Sequence, residues 1–252
     1  MSEEYWVFLE TTITYELHFH TEERKNELES QLQGKKRMTS TYVLGEFVTG
    51  LLHNAVALID IVMESRDEPE VLIQIAQRFG RDANKCLLLY AHVSKLSSTK
   101  EEKISQLRML VEWLLIDIFM EGIDRIIDET GCKFAKSKPS KKGTSYKLEP
   151  ACVQSKKECD ICAFWSQHES ELRTIASALK SVHHLDKSQQ RMLARIEKVL
   201  DFGMIRARGF RSCRALSDAV IATETPKTAT LMTTNKQHFE LLCSVLEKKL
   251  FN

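Results

Sequence analysis

The chain has 252 residues, 43% of them hydrophobic and 28% charged, with nine Gly and four Pro. That is the make-up of a soluble, helix-rich fold with a substantial core. A formal net charge of +1 excludes a globally basic or acidic surface, so any nucleic-acid footprint must be local.

The start, "MSEEYWVFLE", is acidic and lacks the cationic-then-apolar order of a signal peptide. No window offers the run of about 18 apolar residues that a membrane span needs. With seven cysteines and no export signal, a reducing cytoplasm and a metal site are expected rather than disulfides.

Taken in order, "YWVFL" at 5–9 reads as a buried strand that stops at the polar Glu10-Thr11-Thr12. "TEERKNELESQLQGKK" reads as a solvated helix ending near Gly34. A brief strand is expected before Ser40 or Thr41, one of which caps a long amphipathic helix carrying Glu46 in its first two turns. Residues 69–130 predict two or three more helices. Pro69 stands at a first-turn position, Gly80 at a helix end, and Thr99 with Glu102 at capping-box spacing. Helical periodicity then disappears over 132–162, where eight Lys face three acidic residues, the texture of an inserted module. Helix resumes at "FWSQHESELRTIASALKSV", and "VHHL" reads as a short strand. Asp186 or Ser188 caps a helix running through "DKSQQRMLARIEKVLDFGMIRARGF". Asp218 opens "DAVIATET", "TATLMTT" follows as a strand, and "KQHFELLCSVLEKKL" as a last helix. This alternation predicts an α/β fold with a parallel sheet.

Three carboxylates share a setting. Glu10 follows the first strand, Glu46 sits early in a helix, and Asp218 starts a helix leading into a late strand. Ligands of parallel sheets gather at the carboxyl ends of the strands, and carboxylates converging there suit Mg²⁺ or Mn²⁺. The plainer alternative makes Asp218 a helix cap and Glu10 and Glu46 surface acids.

The stretch "DAVIATET…TLMTTNKQHFELL" resembles the C-terminal motif of PIN-domain ribonucleases, toxin-type members in particular. "VFLETT" resembles that family's first strand and "STYVLGEF" its second motif. The resemblance covers roughly 1–55 and 180–252. It implies a three-layer α/β/α sandwich with a small parallel sheet, and metal-dependent endonucleolytic cleavage of single-stranded or structured RNA. Glu10, Glu46 and Asp218 would then ligate Mg²⁺ or Mn²⁺, and Asn235 would be the fourth catalytic position. The nuclease domain would be discontinuous, 1–80 and 165–252, with 81–164 a helical insertion whose 132–162 segment is a zinc module. Glu10 stands where the family has aspartate, one methylene shorter. His238 stands where an aspartate is common. A misplacement of about 1 Å can lower a rate on the order of a hundredfold. A weakened PIN-like protein that only binds RNA or a protein partner is therefore the alternative. A mostly helical scaffold, with the carboxylates far apart, is a third reading.

Cys132, Cys152, Cys159 and Cys162 form C-x19-C-x6-C-x2-C, and the C-x2-C half suits a zinc knuckle. A structural Zn²⁺ on all four thiols is expected, with His168 a substitute for Cys132 or Cys152. An unlinked lysine-rich loop is the alternative. Cys86, Cys213 and Cys243 read as ordinary small core residues. Arg206, Arg208, Arg211 and Arg214, together with Lys141 and Lys142, are the candidate phosphate contacts. A homodimer and a cognate inhibitor protein are further partners open to such a chain; a membrane is not expected.

Overall fold

A computed structural model describes residues 4–80, 83–142, 145–149, 152 and 159–251, without the side chains of residues 113–115, 142 and 145. Strand β1 (Trp6–Leu9) buries Val7, Phe8 and Leu9 completely. A run apolar on both faces belongs in the middle of a parallel sheet covered by helices above and below. Successive side chains point to opposite faces. Val7 and Leu9 meet Ile13, Leu28, Leu32 and Met232 on one face, and Phe8 enters the main core on the other. Helices α1 (Thr11–Phe19) and α2 (Glu22–Leu32) supply the first cover.

Strand β2 (Lys36–Ser40) pairs parallel with β1, and α3 (Thr41–Glu64) leaves it through Ser40, whose hydroxyl accepts from the Val43 amide. Helix α3 is long and apolar enough to cross a membrane, but 61% of that window is buried within the fold. It is the main-core helix. Helices α4 (Glu68–Phe79), α5 (Ala83–Leu96) and α6 (Lys100–Met109) follow, then a π-helical turn (Leu110–Leu114) and α7 (Leu115–Met120). Thr99 and Glu102 close the capping box that their spacing predicts. Strand β3 (Arg125–Ile127) then pairs parallel with β2. The sheet therefore takes an edge strand from within 81–164, the stretch read from sequence as an insertion.

The lysine-rich segment contains an antiparallel hairpin, β4 (Lys138–Lys142) and β5 (Ser145–Glu149). Lys156 and Lys157 lie outside the described residues. Helices α8 (Asp160–Gln167), α9 (Glu169–Ser181) and α10 (Lys187–Phe202) come next. Asp186 caps α10, while "VHHL" is irregular rather than a strand. The helix expected to run on to Phe210 stops at Gly203, whose φ of +87° leaves helical space. A 3₁₀ turn (Met204–Ala207), α11 (Phe210–Ala215) and α12 (Ser217–Glu224) lead into β6 (Ala229–Met232), α13 (Lys236–Val245) and β7 (Lys249–Leu250).

The fold is α/β, largely helical. Its five-stranded sheet is parallel throughout, ordered β3-β2-β1-β6-β7, and compatible with a three-layer sandwich. The chain leaves β1 toward one edge and returns on its other side at β6. Strand order reverses there, and connecting loops diverge to open a crevice at the carboxyl ends.

Candidate functional site

Glu10 and Thr233 enter this crevice from the ends of β1 and β6. Glu10 is 6% exposed, so it is not a surface acid. Its Oε2 accepts from the Thr12 amide at 2.9 Å and the Thr233 hydroxyl at 3.0 Å, as well as from the Thr12 hydroxyl. The longer side chain folds back to cap α1. Burial raises its pKa, and Asp218 adds to this against the lowering effect of the hydroxyls and the amide.

Glu46, on the second turn of α3, accepts from the Thr11 hydroxyl at 3.0 Å. Burial pushes its pKa up to about 8, and Glu10 and Asp218 add their repulsion; the Thr11 and Ser217 hydroxyls oppose the shift only in part. Three residues far apart in sequence thus share one electrostatic environment, as their positions after strands and at helix starts predict.

Asp218 lies in the first turn of α12, but no side chain caps that helix. Its Oδ2 instead meets His238 Nδ1 at 3.0 Å. His238 Nε2 meets Asp186 Oδ2 at 2.8 Å. The hydrogen bond to Asp218 raises the His238 pKa; partial burial opposes this, and the charges of Asp218 and Asp186 reinforce it. Asn235, just before α13, places its amide 2.9 Å from the same Nδ1. With Nδ1 donating to Asp218, the amide oxygen belongs against the ring.

Asp186 was legible only as a cap, and it does both jobs. Oδ1 accepts from the Ser188 and Gln189 amides while Oδ2 faces His238. Against the cost of partial burial, these contacts hold its pKa low. A groove of about 470 Å³ opens beside Thr12 and Thr234, lined also by Tyr15, His20 and Lys85. No sequence motif marks it, because α1 and α5 meet there only in the fold.

The other predicted residues are spread more widely. Arg206, Arg211 and Arg214 are exposed, and Arg208 is half-buried with its amide facing the Cys162 thiol. Arg206 lies 6.0 Å from the Phe202 ring centroid. Lys141 pairs with Glu112 at 3.4 Å, and nothing among the described residues joins it to the carboxylates. The Lys142 side chain lies outside the described residues. The His168 ring lies tilted against Phe164 at 4.6 Å and pairs with Glu171 at 3.3 Å. Cys132, Cys152, Cys159 and Cys162 share a corner with Cys213.

Rich in carboxyl oxygens, the crevice has the donor chemistry of a hard divalent cation. As placed, no three His, Cys, Asp or Glu side chains among the described residues are grouped to grip an ion. Asp218 is turned onto His238 and Glu10 onto its hydroxyls, so closing on a cation requires His238 to give way. No protein-family profile, curated protein or solved structure matches the chain.

Proposed function

We propose that the chain is a PIN-like, Mg²⁺- or Mn²⁺-dependent endoribonuclease. The observation that carries this reading is the convergence of Glu10, Glu46 and Asp218 at the reversal of strand order, with Glu46 raised to about 8 mainly by its burial. Uncompensated carboxylates in one crevice are costly unless a cation or proton joins them. Such an ion would activate water and stabilise charge building on phosphate. Glu46 and Asp218 would hold it, with Glu10 fixed from below by Thr12 and Thr233. Asn235 would orient water from the rim. The groove along Tyr15, His20 and Lys85 has room for a nucleotide. Arg211 and Arg214, exposed just ahead of Asp218, would hold the flanking phosphates.

A binding module without cleavage is the second reading. The Asp186–His238–Asp218 chain favours it, because Asp218 already has a partner in an imidazole whose pKa its two carboxylate neighbours raise.

Labelled single-stranded RNA incubated with Mn²⁺ or Mg²⁺ separates the two. Wild type is expected to cut, and Asp218→Asn to lose at least about a hundredfold in rate. RNA bound but uncut by both proteins would discard the nuclease in favour of the binding module.

A further inference from the structure

Five of the seven cysteines meet at one corner. Cys132 begins a tight turn after Gly131, and the Lys133 amide donates to Asp160 Oδ2 at 3.3 Å. That contact docks the turn on the start of α8. There the Cys162 amide donates to the Cys159 carbonyl at 2.8 Å, and the two thiols are close neighbours. The segment 207–213 closes the other side. Its Phe210 ring stands edge-on to Phe134 at 6.0 Å, and the Tyr42 hydroxyl donates to the Cys213 carbonyl at 3.2 Å.

Thiols used as small apolar fillers are buried, as Cys86 and Cys243 are; these five are all partly exposed. Backbone amides are also aimed at three of the sulfurs. Those of Phe134 and Ala135 face Cys132, that of Phe210 faces Cys152, and that of Arg208 faces Cys162. Amide N–H groups directed at sulfur are the outer support of a metal-bound thiolate. Cys159 and Cys213 are the two sulfurs that every other thiol of the group faces.

We propose that this corner is a structural zinc centre with Cys132, Cys159, Cys162 and Cys213 as its ligands. Cys213 takes the place that sequence spacing assigns to Cys152, which the centre leaves unligated. The sulfurs have not closed on a common point, so the ion must draw them in, displacing one proton per thiol. The centre would tie the 132 turn and α8 to α11, and through α11 to the first turn of α12. It does not rest on the ribonuclease reading.

The test uses the full chain, stripped with chelator and titrated with Zn²⁺ alone, with Co²⁺ as a spectroscopic substitute. About one zinc per chain is expected to survive desalting, and cobalt is expected to show thiolate charge-transfer bands of a tetrahedral site. Cys213→Ser is expected to weaken zinc binding at least about tenfold, with Cys152→Ser staying within about twofold. Zinc should be retained equally by Asp218→Asn. Failure of wild type to retain zinc, or unchanged binding by Cys213→Ser, overturns the proposal. Should Cys213→Ser fail to fold, alkylation of wild type decides. Zinc is expected to shield Cys213 and leave Cys152 reactive, and the reverse pattern overturns the assignment.

Discussion

Glu46 sits where its own charge is unwelcome, and that makes it a reporter. Its pKa is raised in the folded chain to about 8, against an unfolded value of about 4.3. The folded state therefore holds the proton more tightly. The stability it contributes is complete below the unfolded pKa and lost as pH rises through about 8. The metal-free chain should lose thermal stability from pH 5 to pH 9, and Glu46→Gln, which cannot ionise, should flatten that decline. At pH 9 the variant is expected to be more stable by roughly 2–4 kcal/mol. Parallel melting profiles for the two proteins would mean that Glu46 is not the titrating group. Asp186 teaches a different lesson at this scale. Its helix-capping role is written in the order Asp-Lys-Ser-Gln, but the second oxygen meets His238 52 residues later. Only local partners are legible in a sequence, so the cap was readable and the bridge was not. The nearness of Cys213 to the other four cysteines was hidden in the same way, because it too is a contact between distant segments.

Helix α3 carries two glycines with opposite expectations. A Cβ at Gly45 would lie 2.5 Å from the Ala135 Cα, a backbone atom of the cysteine-bearing turn; one at Gly50 would meet nothing within 4 Å. Replacing a helical Gly by Ala is worth about 1 kcal/mol, while overpacking costs about 1–3 kcal/mol. Gly50→Ala should therefore stabilise by up to about 1 kcal/mol, and Gly45→Ala should destabilise by a net ~1–2 kcal/mol in a chemical-denaturation series. Stabilisation by Gly45→Ala would show that α3 and the turn do not pack this closely. The long elements were legible because caps and apolar periodicity agreed: α3 from Ser40, α6 from Thr99, α10 from Asp186. Strand β3 was not. It is three residues long, too few for a period to be visible, and it owes its existence to pairing with β2.

The whole molecule is nearly neutral, so any affinity for RNA must come from where charge is concentrated. The exposed Arg211 and Arg214 precede α12 directly. If they hold phosphates, each Arg→Ala change should weaken binding across sequences and lower the slope of log affinity against log salt by about 0.7 for single strands. Fluorescence anisotropy at several ionic strengths measures this, and an unchanged slope would remove them from the footprint. The parallel sheet with β1 at its centre was readable as a class, because strands alternated with helices. Its order was not, because pairing between distant strands leaves no mark on either one. That order has a consequence in time. The Thr233 hydroxyl reaches Glu10 across 223 residues, and β1 cannot be flanked on both sides until β6 has been made. At the usual pace of synthesis that is a delay of roughly 10–45 s. During this interval the emerging chain holds Glu10 and Glu46 without Asp218. Any chemistry that needs all three carboxylates is withheld from the messenger and ribosome that are making the chain until Asp218 and β6 have left the tunnel.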